Sequence, residues 1–520
     1  MKLHSLDATD LRAALERREV CSVDLVEAFI ERQKTVGPTV NAVVFPMYEE
    51  ARKAAQQADQ QRKAGGALPP LCGLPITIKD NFEVKGTPAT LGLASRQNHV
   101  SAEDAVAVAA LKSAGAIVLG KTNVPQLLLT QESDNAVYGT TRNPWNLARS
   151  PGGSSGGEAA ALATGQTPLG LGSDIGGSIR IPAHFCGLVG FKPTLDRIST
   201  RGMLGGIEGQ ETVRAVAGPM ARSVRDVELV LSALDPTFMA KHDPAVPPLR
   251  FVASGTVQTK GLRVGCFYDD GFLSPCPAIV RAEKTAKTLL EAAGATVIEF
   301  EPATPKDLIF DWLAVMSSDA ATTLKEQLAG EVICKQLRAS LLAAQLPATV
   351  KGPLSTLLAG LGEARLAKLL GSMGRKPVQT LWHLTARRTQ LRQRELLAWQ
   401  KAELSAVICP PHVLPAMPLG TSGDLALTIN YMARYVWLNF PAGVVPVTRV
   451  RQDETIWSGP RPADFVSRRC AEATRGSVGL PVGVQVVAKP HCEEVALAVM
   501  AAIEAGAKND VSFPQTPIDP

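Results

Sequence analysis

In the stretch "SPGGSSGGEAAALATG", which begins at Ser150, two adjacent serines, Ser154 and Ser155, stand between pairs of glycines. Hydroxyls in so bare a backbone can be approached closely by another segment or by a reacting group. The pattern G-x-S-x-G is present from Gly152 to Gly156, but the preceding "NPWNLARSP" has no strand character. The strand-to-helix elbow that exposes a hydrolase nucleophile is therefore not implied. No lysine follows the glycines, which counts against a phosphate-binding loop. A second serine motif lies 24 residues beyond Ser154: in "GLGSDIGGSIRIP", Gly176 and Gly177 precede Ser178. Glycines there would let the N–H groups of Ile175, Gly176, Gly177 and Ser178 converge on one point, as an oxyanion requires. Ser178 is thus a candidate nucleophile, and a nucleophilic serine needs a base.

Histidine is the usual base, but none of the seven sits in a recognisable pairing, and His184 is merely the nearest to these serines. A lone histidine is more often a structural hydrogen-bonding residue. Lys79 closes the apolar run "LPITIKD". At the end of a buried strand desolvation disfavours the ammonium, and a neutral lysine can accept a serine proton. A strand-end lysine can equally ion-pair with Asp80 or another carboxylate.

These residues need a rigid frame, and the pattern around them is one of alternating short apolar runs and helices. Helical periodicity is predicted over Ser5–Arg18, Ser22–Gln33 and 49–64, the first two opened by a serine able to cap free N–H groups. "LPITIKD" (74–80) and "AIVLGKT" (116–122) read as buried strands, separated by a helix from Ser101 to Ala114 with Ser101 and Asp104 in capping-box spacing. "LRVGCF" (262–267), a helix over 277–293 and "ATVIEF" (295–300) make a βαβ-like unit. From about 305 to 401 the strand signal gives way to helices rich in Leu, Ala, Arg and Lys. Strands return at 404–410 and 480–488, before a last helix over 493–505. The expected fold is α/β: a sheet covered by helices on both faces, carrying a helical cap insertion. Length alone would suggest about three domains. The expectation here is one domain over 1–520, with N-terminal helices (1–70), a core (71–225), the cap (305–401) and a C-terminal completion of the sheet (402–520).

The composition, 45% hydrophobic and 20% charged, is that of an ordinary globular protein. The net charge of +5 is spread over 520 residues and does not point to nucleic acid. There is no secretory core near the start and no apolar run of about 18 residues, so the expected location is cytoplasmic. Nine scattered cysteines without zinc or CxxC spacing read as reduced thiols.

Taken together, Lys79 in "GLPITIKDNF", Ser154 in "SPGGSSGG" and Ser178 in "GSDIGGSIRIP" resemble the amidase signature family. The flanking "TNVPQ" (122–126), "GTTRNPWN" (139–146), "FCGLVGFKPT" (185–194) and "GPMARSV" (218–224) are similar to it as well. The resemblance implies a large mixed sheet and a Ser-cisSer-Lys triad. In it Lys79 takes the proton of Ser154, Ser154 that of Ser178, and Ser178 attacks an amide carbonyl; the Gly153–Ser154 peptide is cis. Backbone N–H groups of Ile175, Gly176, Gly177 and Ser178 hold the oxyanion, and Ser155, Asp174 and Arg180 support the arrangement. An acyl-enzyme of this kind serves esters as well as amides and implies no metal and no organic cofactor.

Outside the core, "GQETVRAVAGPMARSV" (209–224), "YVWLNFPAGVVPVTRV" (435–450) and "SVGLPVGVQVVAKP" (477–490) are most similar to the family's fatty acid amide hydrolases, whose spanning N-terminal helix has no counterpart here. By that resemblance Leu128, Leu129 and Ser154 contact the substrate, a lipid-like amide with an apolar acyl chain. Buried core leucines would look the same. Small or aryl-acyl amides and, less favoured by the long cap, the glutamine of a tRNA-dependent amidotransferase are the rival substrates. The cap segment "GPLSTLLAGLGEARLAKLLGSMGRKP" (352–377), apolar with Arg365, Lys368, Arg375 and Lys376 interspersed, reads as a peripheral membrane contact, a packed cap helix or a homodimer contact.

Overall fold

The computed structural model describes residues 2–456 and 464–520. Eleven strands form one mixed sheet: β1 (Val43–Pro46), β2 (Pro75–Lys79), β3 (Ile117–Thr122), β4 (Leu169–Asp174), β5 (Val189–Lys192), β6 (Val216–Ala221), β7 (Arg263–Cys266), β8 (Thr296–Glu299), β9 (Ala406–Cys409), β10 (Ala442–Arg449) and β11 (Pro481–Ala488). Their spatial order is β1-β3-β2-β4-β6-β5-β10-β11-β9-β7-β8. β2 runs parallel to both β3 and β4, and β7 runs parallel to both β8 and β9; the remaining pairs are antiparallel. Every residue of β2, β3, β4 and β6 is buried, as expected of strands covered on both faces. Two short helices matter most here: α1 (Gly156–Ala163), packed on β2, β4 and β6, and α2 (Arg180–Cys186), packed on β5, β10 and β11.

The predicted elements around the site are present, and several helix starts differ. The first helix runs over Ala8–Glu16, and its free N–H groups at Ala8 and Thr9 donate to Asp226, 218 and 217 residues away, rather than to a local serine. The second begins at Ser22 as expected but continues to Val40, and its cap is the sulfur of Cys21. The helix expected from Ser101 starts only at Val106. Asp104 does not close a capping box; its carboxylate accepts from the Lys85 N–H and from Lys112 Nζ.

Six helices lie between Ile309 and Lys401, the segment read from the sequence as a helical cap. It is tied to the layer beneath it by polar contacts. Trp312 Nε1 donates to Ile175 O at 3.0 Å, Gln327 Nε2 to Gly206 O at 2.9 Å, and the Ala94 and Ser95 N–H groups to Glu331. Of the basic residues interspersed in the segment 352–377, Arg365 binds Asp464 and the Phe272 carbonyl, and Lys368 pairs with Asp307.

Candidate active site

Residues alternate sides along a strand, so Thr77 and Lys79 of β2 share one side and Ile76 and Ile78 the other. β4 is parallel to β2, so both carboxyl ends reach one edge of the sheet, where ligands of α/β folds gather. Lys79 ends β2 there, and Ser173 and Asp174 end β4. The loop before α1 brings in Ser154, and the turn between β4 and α2 brings in Ser178. The Gly153–Ser154 peptide is cis.

Lys79 is completely buried. Its Nζ lies 2.7 Å from Ser154 Oγ, 2.9 Å from Ser173 Oγ and 3.3 Å from Ser173 O. That set accommodates an ammonium, with one hydrogen for each oxygen, and equally a neutral amine, whose two hydrogens can serve Ser173 while its lone pair faces the Ser154 hydroxyl. Burial pulls the lysine down to about 7, against the opposing pull of Asp174, Glu158 and Asp80. The alternative raised by the sequence, an ion pair with Asp80, is not formed. As the next residue, Asp80 points the other way, binding Thr90 and lying 3.8 Å from Lys121.

Asp174 and Arg180 hold the turn that carries Ser178. The two form a fully buried ion pair at 2.9 Å; Asp174 also accepts the N–H groups of Gly177 (2.8 Å) and Ile179 (3.2 Å). Burial alone would raise the Asp174 carboxyl, but Arg180 holds it below the usual range. Gly177 has φ +122°, and a Cβ there would lie 2.6 Å from Met432 Sδ, so the turn admits only glycine. Of the four N–H groups expected to face an oxyanion, that of Gly177 is therefore already taken by Asp174. Those of Ile175, Gly176 and Ser178 have no protein acceptor among the described residues. The Ser178 hydroxyl makes no hydrogen bond among the described residues, and its carbonyl accepts from the Ser155 N–H at 3.0 Å. Ser155 Oγ reaches Ser173 O at 3.4 Å, so it shares an acceptor with Lys79 without touching it.

A cavity of about 240 Å³ opens on these groups, lined by Ser154, Ser173 and Ser178 and by Leu127, Leu128 and Leu129. Beyond it lies an apolar cluster joining Leu127, Leu128 and Leu129 to cap residues such as Leu324, Leu328 and Met373. His184 lies elsewhere. It is fully buried, with Nδ1 accepting from the Gly483 N–H and Nε2 against Leu414 O. The lining residues that sequence reasoning missed include Ser173 and Asn81 beside the lysine, and Glu208, Gln210, Glu211 and Arg214 farther along the wall. A polar residue in the otherwise apolar "LGLGSD" was the available signal for the first.

The sequence profile of the family described as Amidase matches residues 24–497. Fatty-acid amide hydrolase 1 of Sus scrofa is 40% identical over 438 residues, 84% of this chain and 75% of that one. Fatty acid amide hydrolase 1 of Caenorhabditis elegans is 34% identical over 504 residues, 96% of this chain and 88% of that one. A solved structure of a fatty acid amide hydrolase superposes with a TM-score of 0.83 at 27% identity, covering 98% of this chain and 86% of the other.

Proposed function

Since the chain belongs to the amidase family and is a hydrolase acting on amide C–N bonds, we propose that it cleaves amides bearing an extended apolar acyl chain through an acyl-enzyme on Ser178. The observation that carries this reading is that Leu127, Leu128 and Leu129 of the serine-lined cavity wall belong to the apolar cluster under the cap. Neutral Lys79 takes the proton of Ser154 as Ser154 takes that of Ser178, and Ser178 Oγ bonds to the carbonyl carbon. The free N–H groups of Ile175, Gly176 and Ser178 receive the oxyanion. Ser154 then protonates the departing amine, without which the C–N bond is slow to break, and water releases the acid by the same relay.

Acyl para-nitroanilides from two to eighteen carbons test the acyl preference. Each buried methylene contributes about 0.8 kcal/mol, so kcat/KM should rise by about three- to fourfold per added carbon until the apolar zone is filled. A maximum at the short end would overturn the reading in favour of small amides.

The cap helix Ala348–Gly360 supports a membrane as the source of such substrates. Val350, Leu354 and Leu357 face solvent on it, with Leu342 and Leu361 exposed nearby. Phospholipid vesicles should therefore co-sediment the protein, and Leu357→Glu with Leu361→Glu should abolish this while leaving turnover of a short soluble anilide intact. No sedimentation, or a dimer that the double variant dissociates, would assign the face to protein contact instead.

A further inference from the structure

Glu158 occupies a site built for a carboxyl group yet forms no ion pair among the described residues. It lies in the first turn of α1 and is completely buried. Its Oε2 accepts from Thr77 Oγ1 of β2 at 2.6 Å and its Oε1 from Thr122 Oγ1 of β3 at 2.8 Å. A Cβ on Gly170 of β4 would lie 2.3 Å from Oε2, so that strand leaves room for the carboxyl only because it has no side chain there. Four elements thus enclose one acid.

The enclosure fits either protonation state. As a carboxylate, Glu158 accepts from both threonines. As an acid, it can donate to Thr77, whose hydroxyl then has a second acceptor in Leu169 O at 3.5 Å. The charge acting on Glu158 is that of Lys79, two residues beyond Thr77 on the same side of β2. The other charges acting on Lys79 are Asp174, held by Arg180, and Asp80, turned toward Lys121. Burial raises Glu158 to about 8, opposed by the two threonine hydroxyls and Lys79.

We propose that Glu158 is a positioning residue for the proton on Lys79: the Thr77 and Thr122 hydroxyls set how readily it keeps its own proton, and thereby the pH at which Lys79 becomes a base. While Glu158 is an acid, Lys79 faces no counter-charge from it and is free to be neutral. Once Glu158 has released its proton, to solvent or to Lys79, the carboxylate favours the ammonium, so Lys79 becomes neutral only at a higher pH. The inference rests on Lys79 as the base of the relay.

The test is the pH dependence of kcat/KM through neutral pH for wild type, Glu158→Gln and Thr122→Val. Wild type should lose activity on the acid side along a limb shallower than a one-proton titration, because two linked groups release protons there. Glu158→Gln removes the anion that holds the ammonium, so its limb should steepen and move about one pH unit lower. Thr122→Val removes a hydroxyl that favours the carboxylate and should move the limb the same way by less; it decides the question if the glutamine variant does not fold. A wild-type limb that neither variant moves overturns the role of Glu158 alone. A wild-type profile without an acid limb overturns Lys79 as base and this inference with it.

Discussion

Replacing Ser178 by Ala is expected to lower kcat/KM for the preferred anilide by on the order of 10⁴-fold or more, to the level that binding and backbone donors sustain without a nucleophile. Four serines meet here, and the surroundings of Ser155, Ser154 and Ser178 differ. Ser155 is directed to the Ser173 carbonyl, and its backbone is bonded to Ser178. Ser154 holds the lysine at 2.7 Å. The Ser178 hydroxyl lies on the cavity wall with no hydrogen bond among the described residues, and the N–H groups of Ile175, Gly176 and Ser178 have no acceptor among them; on the proposed mechanism these would receive the oxyanion. Because that hydroxyl holds nothing together, the variant should keep its unfolding free energy within about 0.5 kcal/mol of wild type. A fluorophosphonate should label the peptide carrying Ser178 in wild type and label nothing in the variant. Label mapped to Ser154, which cleavage after Glu158 separates from Ser178, or activity surviving in Ser178→Ala, would move the nucleophile elsewhere.

The residues of this site were legible in the sequence to the extent that their function needs a local pattern. Glycines beside a serine are visible as letters, and the turn at Gly177 requires them whatever lies around it. Partners supplied by distant segments left no such mark. Ser173 was hidden by its neighbours in a quoted motif. Glu158 carries no signal of its own in the sequence; its setting is made by Thr77, Thr122 and Gly170, which the fold closes around it. The commitment of the Gly177 N–H to Asp174 could not be read from spacing either, since it depends on the carboxylate turning back over its own turn.

The frame divides in the same way. Strands rich in β-branched residues, such as β2 and β11, are evident from the sequence, whereas β1, β4, β5, β6 and β10 are not. β6 contains Gly218 and Pro219, and β10 contains Gly443 and Pro446, residues that ordinarily argue against a central strand. β10 tolerates its proline because its register with β11 shifts between Pro446 and Thr448. The missed helix start at Ala8 has the same origin, a cap lent by Asp226 from far along the chain.

Lys79→Ala and Lys79→Arg are expected to lose activity together, each by about 10²- to 10⁴-fold in kcat, the range assigned to one general base. The arginine variant carries the discrimination. If Lys79 served as a buried cation orienting Ser154 and Ser173, a guanidinium would supply charge and donors, and much of the activity would survive. As a base it must offer a lone pair, and arginine keeps its proton at any pH an enzyme meets. The wild-type profile adds a second constraint with a definite sign. Burial lowers the lysine to about 7, so the neutral form prevails above that pH and the ammonium below it. Activity should therefore fall as the solution is acidified through neutrality and hold on the alkaline side until another group titrates. Full activity in Lys79→Arg would make the lysine a structural cation. A wild-type rate unchanged well below neutrality would do the same, and Ser154 would then need another acceptor, which the geometry around its 2.7 Å contact with Nζ does not supply among the described residues.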